Sequence, residues 1–283
     1  MTETQVGQSQ ELTLWRGVAQ QIAKRLGQQS LVTSIIVFGS VATGIVDGDS
    51  DVDLLVICQP QVVPLAERKG LLVELGAGWM FDIPPGNSLF ASMDEGVMEG
   101  IAVTVHYQHV AWIEAVLDEV LEQGAVTSTL LPFRPYTLSA LLQRGWLLVD
   151  KEQQVARWRA RSLPYPSLLK HNIVQHFMPI LQEQTDELVL TARRRIGPHV
   201  FLFHLNRAVD ALISILYAHN EVYDPADRRA EQTVWPLLVN VPIDFVARLN
   251  AILAGPFDGD GMEQRAHAFR RLAQEVIMQT HIS

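Results

Sequence analysis

Trp15, Val18, Ile22 and Leu26 recur at three- and four-residue intervals with Gln, Lys and Arg between them. That period predicts an amphipathic helix over about residues 10–27. The pattern then changes. Ile35-Ile36-Val37-Phe38 and Leu54-Leu55-Val56-Ile57 are short apolar runs, predicted as strands at about 32–38 and 51–57. The segment Val41 to Asp49 between them is too short for more than a helical turn and a loop, and Asp47-Gly48-Asp49-Ser50 is turn chemistry. A helix at about 62–76 follows, entered through Pro64 and carrying Leu65, Leu71, Leu72 and Leu75. Trp79 to Ile83 then leads to Pro84-Pro85-Gly86-Asn87, a strong stop. Gly100 to Gln108 is the best remaining strand, with an amphipathic helix after it from about Ile113 to Gln123. Strands alternating with helices make this half an α/β (α+β) unit with a small mixed sheet.

From about residue 137 the strand signals cease. Leu138–Val149, Leu168–Ala192, Pro198–His219, Asp244–Ala254 and Gly261–His281 all suit helices, with breaks at Pro164-Tyr165-Pro166, Pro225 and Pro256. The expected organisation is an α/β (α+β) domain over 1–135 and an all-helical bundle domain over 136–283, the boundary region lying between about 125 and 165. A cleft between two such domains is where a substrate would bind. No internal repeat or low-complexity segment interrupts this picture.

A chain of 283 residues with 48% hydrophobic content is long enough for two ordinary domains and is not generally disordered. The longest apolar stretch, Ala211 to Tyr217, is far short of the roughly 20 residues that a membrane span requires. The first ten residues lack a basic segment followed by an apolar one, so no secretory signal is expected, and the expected location is the cytoplasm with no membrane partner. Cys58 is the only cysteine, which excludes an internal disulfide and leaves a small apolar residue at a strand end as its reading. Charge is unevenly divided: residues 1–150 hold 7 Lys/Arg against 17 Asp/Glu, and residues 151–283 hold 15 against 14. Acid concentrated in the first half suits a divalent cation site. It also argues against the broad basic face that a long nucleic-acid substrate needs.

The chemistry concentrates where Phe38-Gly39-Ser40 is followed, ten residues later, by Asp51-Val52-Asp53. Carboxylates at i and i+2 of an extended segment point to the same face and can hold one or two divalent cations. Asp is depleted in strands, so two of them opening an apolar run call for an explanation beyond packing. An apolar strand running into Gly-Ser suits a tight turn that leaves N–H groups and a hydroxyl free to meet phosphate.

Gly39-Ser40 and Asp51-Val52-Asp53, with Gly44 and Ser50 between them, resemble the signature of the nucleotidyltransferase superfamily. That superfamily includes DNA polymerase beta, the kanamycin-type aminoglycoside nucleotidyltransferases and the small MNT proteins. The match covers about residues 30–57, with looser similarity to about 110. It implies transfer of a nucleoside monophosphate, AMP foremost, from a nucleoside triphosphate to an acceptor hydroxyl. In that scheme Asp51 and Asp53 hold Mg²⁺ or Mn²⁺, while Gly39, Ser40 and Ser50 line the nucleotide site. Members usually add a third carboxylate, and two positions compete for it here. Asp82 stands at a separation that suits the minimal members. The strand position used by larger members carries Thr104 and His106 instead, so His106 is the other candidate for the base.

In the helical half, His204, Asn206, Arg207 and Asp210 interrupt an apolar helix. Arg207 either pairs with Asp210 at i+3 or reaches a triphosphate, which its planar fork suits. Arg193-Arg194-Arg195 and Arg228-Arg229 read as solvated faces, and His171 and His176 lack zinc spacing. A small-molecule acceptor is expected ahead of a nucleic acid or a protein. The rivals are a non-catalytic nucleotide-binding or antitoxin-like protein on the same fold, and a toxin-type transferase acting on tRNA or protein.

Overall fold

The computed structural model describes residues 3–84, 90–128 and 134–281. It divides into two compact units, Met1–Pro164 and Tyr165–Ser283. In the first, α1 (Glu3–Leu26) leads through β1 (Val32–Phe38), α2 (Gly39–Thr43), β2 (Val52–Cys58), α3 (Leu65–Leu72), β3 (Ala77–Ile83), β4 (Ser92–Met98) and β5 (Ile101–His109) to α4 (Val110–Leu121), α5 (Thr137–Arg144), β6 (Trp146–Asp150) and α6 (Gln154–Arg161). The strands form one mixed sheet in the order β3-β4-β5-β2-β1-β6. Only β2 and β5 run parallel; every other neighbouring pair is antiparallel.

Register assigns each side chain to a face. Val37, Leu54 and Val105 are partners across β1, β2 and β5, as are Ile35, Val56 and Tyr107. All six are buried in one core with Val18, Ile22 and Leu26 of α1 and Leu72 of α3. Each such Ile, Leu or Val contributes about 1.5–3 kcal/mol by leaving water. The alternate residues point the other way. Ile36, Leu55 and His106 form one row, and Phe38, Asp53 and Thr104 the next. Ile36 and Leu55 are buried on the face that α5 and α6 approach at β1. The Phe38–Asp53–Thr104 row lies at the outer end of that face.

Two strands depart from the expected pattern. The helix foreseen over Leu138–Val149 stops at Arg144, and Trp146–Asp150 pairs with β1 as β6. Gly145 permits the change, since a Cβ there would stand 2.3 Å from Ile36 Cγ2. Asp150 then fastens β6, accepting from the Ser34 hydroxyl at 2.9 Å and from the Val155 N–H at 3.1 Å. For this reason the first unit runs to Pro164, where the sequence placed the division at 135/136. β4 was not foreseen, because Ser92-Met93-Asp94-Glu95-Gly96-Val97-Met98 is poor in β-branched residues. β3 ends at Ile83, just ahead of the expected stop, of which Pro85 to Asn87 lie outside the described residues.

The second unit is helical, as expected: α7 (Ser167–Arg193), α8 (Pro198–His219), the short α9 (Ala230–Thr233), α10 (Phe245–Ala254) and α11 (Gly259–His281). Leu181, Leu188, Phe201, Leu212, Phe269 and Leu272 are buried there. α8 has the length and hydropathy of a membrane span, but half of that window is buried inside the protein, as in the core helix of a bundle. Arg248 clasps both oxygens of Glu275 at 2.7 Å, fixing α10 to α11.

Candidate functional site

The site begins where β1 runs out. Gly39 follows Phe38 with φ +67, a left-handed conformation that only glycine adopts without cost. A Cβ on Gly39 would stand 3.2 Å from Asp53 Oδ2. The two halves of the sequence motif therefore meet, backbone against carboxylate. Ser40 is the second residue of α2, and its hydroxyl oxygen is buried without a hydrogen-bond partner among the described residues. Gly44, at φ +79, ends α2 by donating its N–H to Ser40 O at 3.0 Å.

The chain returns through a braced loop. Asp47 and Ser50 exchange hydrogen bonds, the Asp47 N–H donating to Ser50 Oγ and the Ser50 hydroxyl to Asp47 Oδ1, both at 2.9 Å. The Trp15 indole N–H donates to Ser50 O at 2.9 Å. Ser50 was expected among the nucleotide ligands; its hydroxyl is instead spent on this turn, which sets the entry into β2. Asp51 stands exposed immediately before β2, and Asp53, two positions on, is half-buried opposite Phe38.

On β5, Thr104 is the partner of Asp53, and His106 is the next residue on the same face. His106 Nε2 lies 3.5 Å from Asp53 Oδ1. The imidazole is stacked against Phe90 at 4.0 Å between centroids, with Phe38 on its other neighbour at 5.4 Å. No lysine or arginine forms an ion pair with Asp53 among the described residues.

Asp82 does not join this cluster. β3 lies three strands from β2, about 14 Å at the usual spacing. Its carboxylate also faces the other side of the sheet. There Asp82 Oδ1 accepts from Arg68 of α3 at 3.0 Å and from the Ser92 hydroxyl at 2.8 Å. Arg68 in turn donates to the fully buried Asp94 at 2.7 Å, and its guanidinium covers the Tyr107 ring at 4.6 Å. Asp94 also accepts the Asp82 N–H at 2.9 Å. The Ser92 hydroxyl first, and Arg68 second, hold the Asp82 carboxyl below its ordinary pKa. Asp82 is thus a structural carboxylate, and its expected place as third acid is corrected by sheet parity.

Arg207 lies on the exposed surface of α8 in the other unit, with its guanidinium over the Phe203 ring at 5.5 Å. Arg193 to Arg195 and Arg228 are exposed, and Arg195 pairs with Asp260 at 3.2 Å. Cys58 is buried, and burial pushes its thiol up to about 11, in keeping with an inert core residue.

The sequence over residues 19–130 matches a family model described as "Nucleotidyltransferase domain". This part of the chain is a nucleotidyltransferase domain. Its type supports nucleotidyl transfer as the class of chemistry. No curated protein matches the chain significantly. Among solved structures, a nucleotidyltransferase-like protein from Exiguobacterium sibiricum 255-15 is 10% identical, with a TM-score of 0.43 over 93% of this chain and 76% of that one.

The domain sets one carboxylate, Asp53, against Gly39, with a second, Asp51, exposed two positions earlier and with a Ser40 hydroxyl that has no partner among the described residues. Among the described residues no three His, Cys, Asp or Glu side chains gather into a ready-made metal group. Such a donor set fits Mg²⁺, which keeps several waters and is held by one or two carboxylates together with substrate phosphates. Sequence reasoning missed Phe90, which lies far from both motifs. It also missed Arg68 and Asp94, whose partnership depends on the unforeseen β4.

Proposed function

We propose that this protein is a nucleotidyltransferase dependent on Mg²⁺ or Mn²⁺. It moves a nucleoside monophosphate, AMP being the first candidate, from a nucleoside triphosphate to a hydroxyl on a small molecule. The observation that supports the reading is the 3.2 Å approach of Asp53 Oδ2 to the Cβ position of Gly39, a carboxylate against glycine backbone. In the reaction the acceptor oxygen bonds to the α-phosphorus, the bond to the bridging oxygen breaks, pyrophosphate leaves with the electron pair, and the hydroxyl proton passes to solvent. When bound, the cation neutralises phosphate charge and lowers the pKa of the acceptor hydroxyl. Asp51 and Asp53 hold that cation. The Gly39 backbone and the Ser40 hydroxyl, buried without a partner among the described residues, receive the β- and γ-phosphates. The acidic first half, with 17 Asp/Glu against 7 Lys/Arg over residues 1–150, favours a small acceptor over a long polyanion. We assign the activity to the cytoplasm, where nucleoside triphosphates are made.

A second reading, nucleotide binding without transfer, is favoured by one observation: Thr104 and His106, and no carboxylate, stand on the strand beside β2. Incubation with each labelled triphosphate, Mg²⁺ and a metabolite extract separates the two. A labelled small molecule and released pyrophosphate, both lost in Asp53→Asn, support transfer. Saturable nucleotide binding with no pyrophosphate release supports the second reading.

A further inference from the structure

We infer that His106 is a positioning residue for Asp53, donating a hydrogen bond from Nε2 to Oδ1 and turning the carboxylate toward the cation. The inference rests on the nucleotidyl-transfer reading for the cation, and on local geometry for everything else. Asp53 faces Phe38 on one neighbouring strand and Thr104 on the other, and no Arg or Lys ion pair holds it among the described residues. The terminal torsion of Asp is broad and roughly two-fold, so the backbone alone does not fix the orientation of this carboxylate. Each orientation costs entropy at the moment a cation binds.

His106 removes that freedom. Its side chain is 10% exposed and cannot swing, being stacked on Phe90 at 4.0 Å with Phe38 at 5.4 Å. Nε2 stands 3.5 Å from Asp53 Oδ1, at the long edge of hydrogen-bonding distance. The other ring nitrogen decides the role. Nδ1 is buried with no hydrogen-bond partner among the described residues, and a hydrogen there would meet no acceptor among them. The ring hydrogen therefore sits on Nε2, aimed at Asp53. The same fact argues against His106 as a metal ligand: a ligating histidine donates its second ring N–H to a carboxylate or carbonyl, and Nδ1 has none to meet.

The test has two arms. In metal-free protein labelled with ¹⁵N-histidine, His106, assigned by its loss in His106→Gln, is expected to show a protonated Nε2 and a bare Nδ1. In the second arm, Mn²⁺ with a non-hydrolysable triphosphate analogue is titrated by electron paramagnetic resonance. His106→Leu is expected to weaken Mn²⁺ binding about 10- to 100-fold, the range found when an outer-shell partner is lost. His106→Gln, whose amide still donates, restores most of it. A proton on Nδ1, ¹⁴N coupling from imidazole to bound Mn²⁺, or undiminished affinity in His106→Leu each overturns the role of His106. A wild type that keeps the Nε2–H tautomer yet binds no Mn²⁺ with the analogue overturns the cation reading of Asp51 and Asp53 instead, and the positioning role with it.

Discussion

The two faces of one sheet carry acidic clusters of opposite character. Under α3, Asp94 is fully buried and Asp82 is partly exposed, and both are hydrogen-bonded to Arg68 at 2.7 and 3.0 Å. On the other face Asp53 has the His106 imidazole at 3.5 Å, and among the described residues no guanidinium or ammonium pairs with it. Both arrangements place carboxylates in a small domain with an excess of acid. Only the first brings its own cation. A buried carboxylate without a cation is costly, so the matched cluster reads as architecture. The other, beside a glycine at φ +67 and a serine hydroxyl without a partner among the described residues, reads as a place where the positive charge comes from outside. Charge compensation distinguishes the two groups of carboxylates here where residue type and spacing do not.

If that contrast holds, substitutions on the two faces fail in different ways. Asp53→Asn should lower transfer on the order of 10³-fold, since a cation stabilising the transition state is worth several kcal/mol. Its melting temperature should stay near that of the wild type; an equal loss of stability would erase the contrast. Asp94→Ala should do the reverse. It leaves Arg68, 3% exposed, without its buried partner, and breaking a buried pair costs about 3–5 kcal/mol. Urea denaturation reads that loss, and nucleotide affinity below the melting temperature should be unchanged.

Gly39→Ala sharpens the comparison, because it touches both properties. A non-glycine residue in the left-handed region costs about 1–2 kcal/mol, and the new Cβ would press on Asp53 Oδ2. Lower stability together with weaker Mn²⁺ binding is expected, whereas Asp94→Ala shows the first alone. The smallest effect belongs to Asp82→Asn, which should leave turnover intact. The folded pKa of Asp82 lies below its ordinary value of 3.8, through the Ser92 hydrogen bond and then Arg68. Its contribution is therefore full above the unfolded pKa and is lost as pH falls toward the folded one. With the side chain 59% exposed, the loss should be slight. A stability profile between pH 5 and pH 2 should be marginally flatter in the variant.

Much of this was legible in the chain. Gly39-Ser40 and Asp51-Val52-Asp53 could be placed on one site because strand alternation and a short connection leave few alternatives, and the structure sets Gly39 against Asp53. Spacing alone does not say whether the Ser50 hydroxyl faces a ligand or closes a turn; the structure has it bonded to Asp47. Asp82 was misread for a topological reason. With β4 unseen, Phe81-Asp82-Ile83 could sit beside the catalytic strands; with β4 inserted, β3 moves to the sheet edge. β4 itself hid behind Asp94, Glu95 and Gly96, residues that strands disfavour. There Asp94 is tolerated because Arg68 meets it, a partner 26 positions away that periodicity cannot reveal. β6 hid behind helical periodicity, whose break at Gly145 is set by contact with Ile36.

The most direct measurement is paramagnetic relaxation from Mn²⁺ bound with a non-hydrolysable triphosphate, read as amide line broadening across the ¹⁵N-labelled chain. Broadening should peak at Gly39, Ser40, Asp53 and Thr104 and decline toward β3. A maximum at Asp82, Ser92 and Asp94 would contradict the assignment of the cation to the face that carries Asp53.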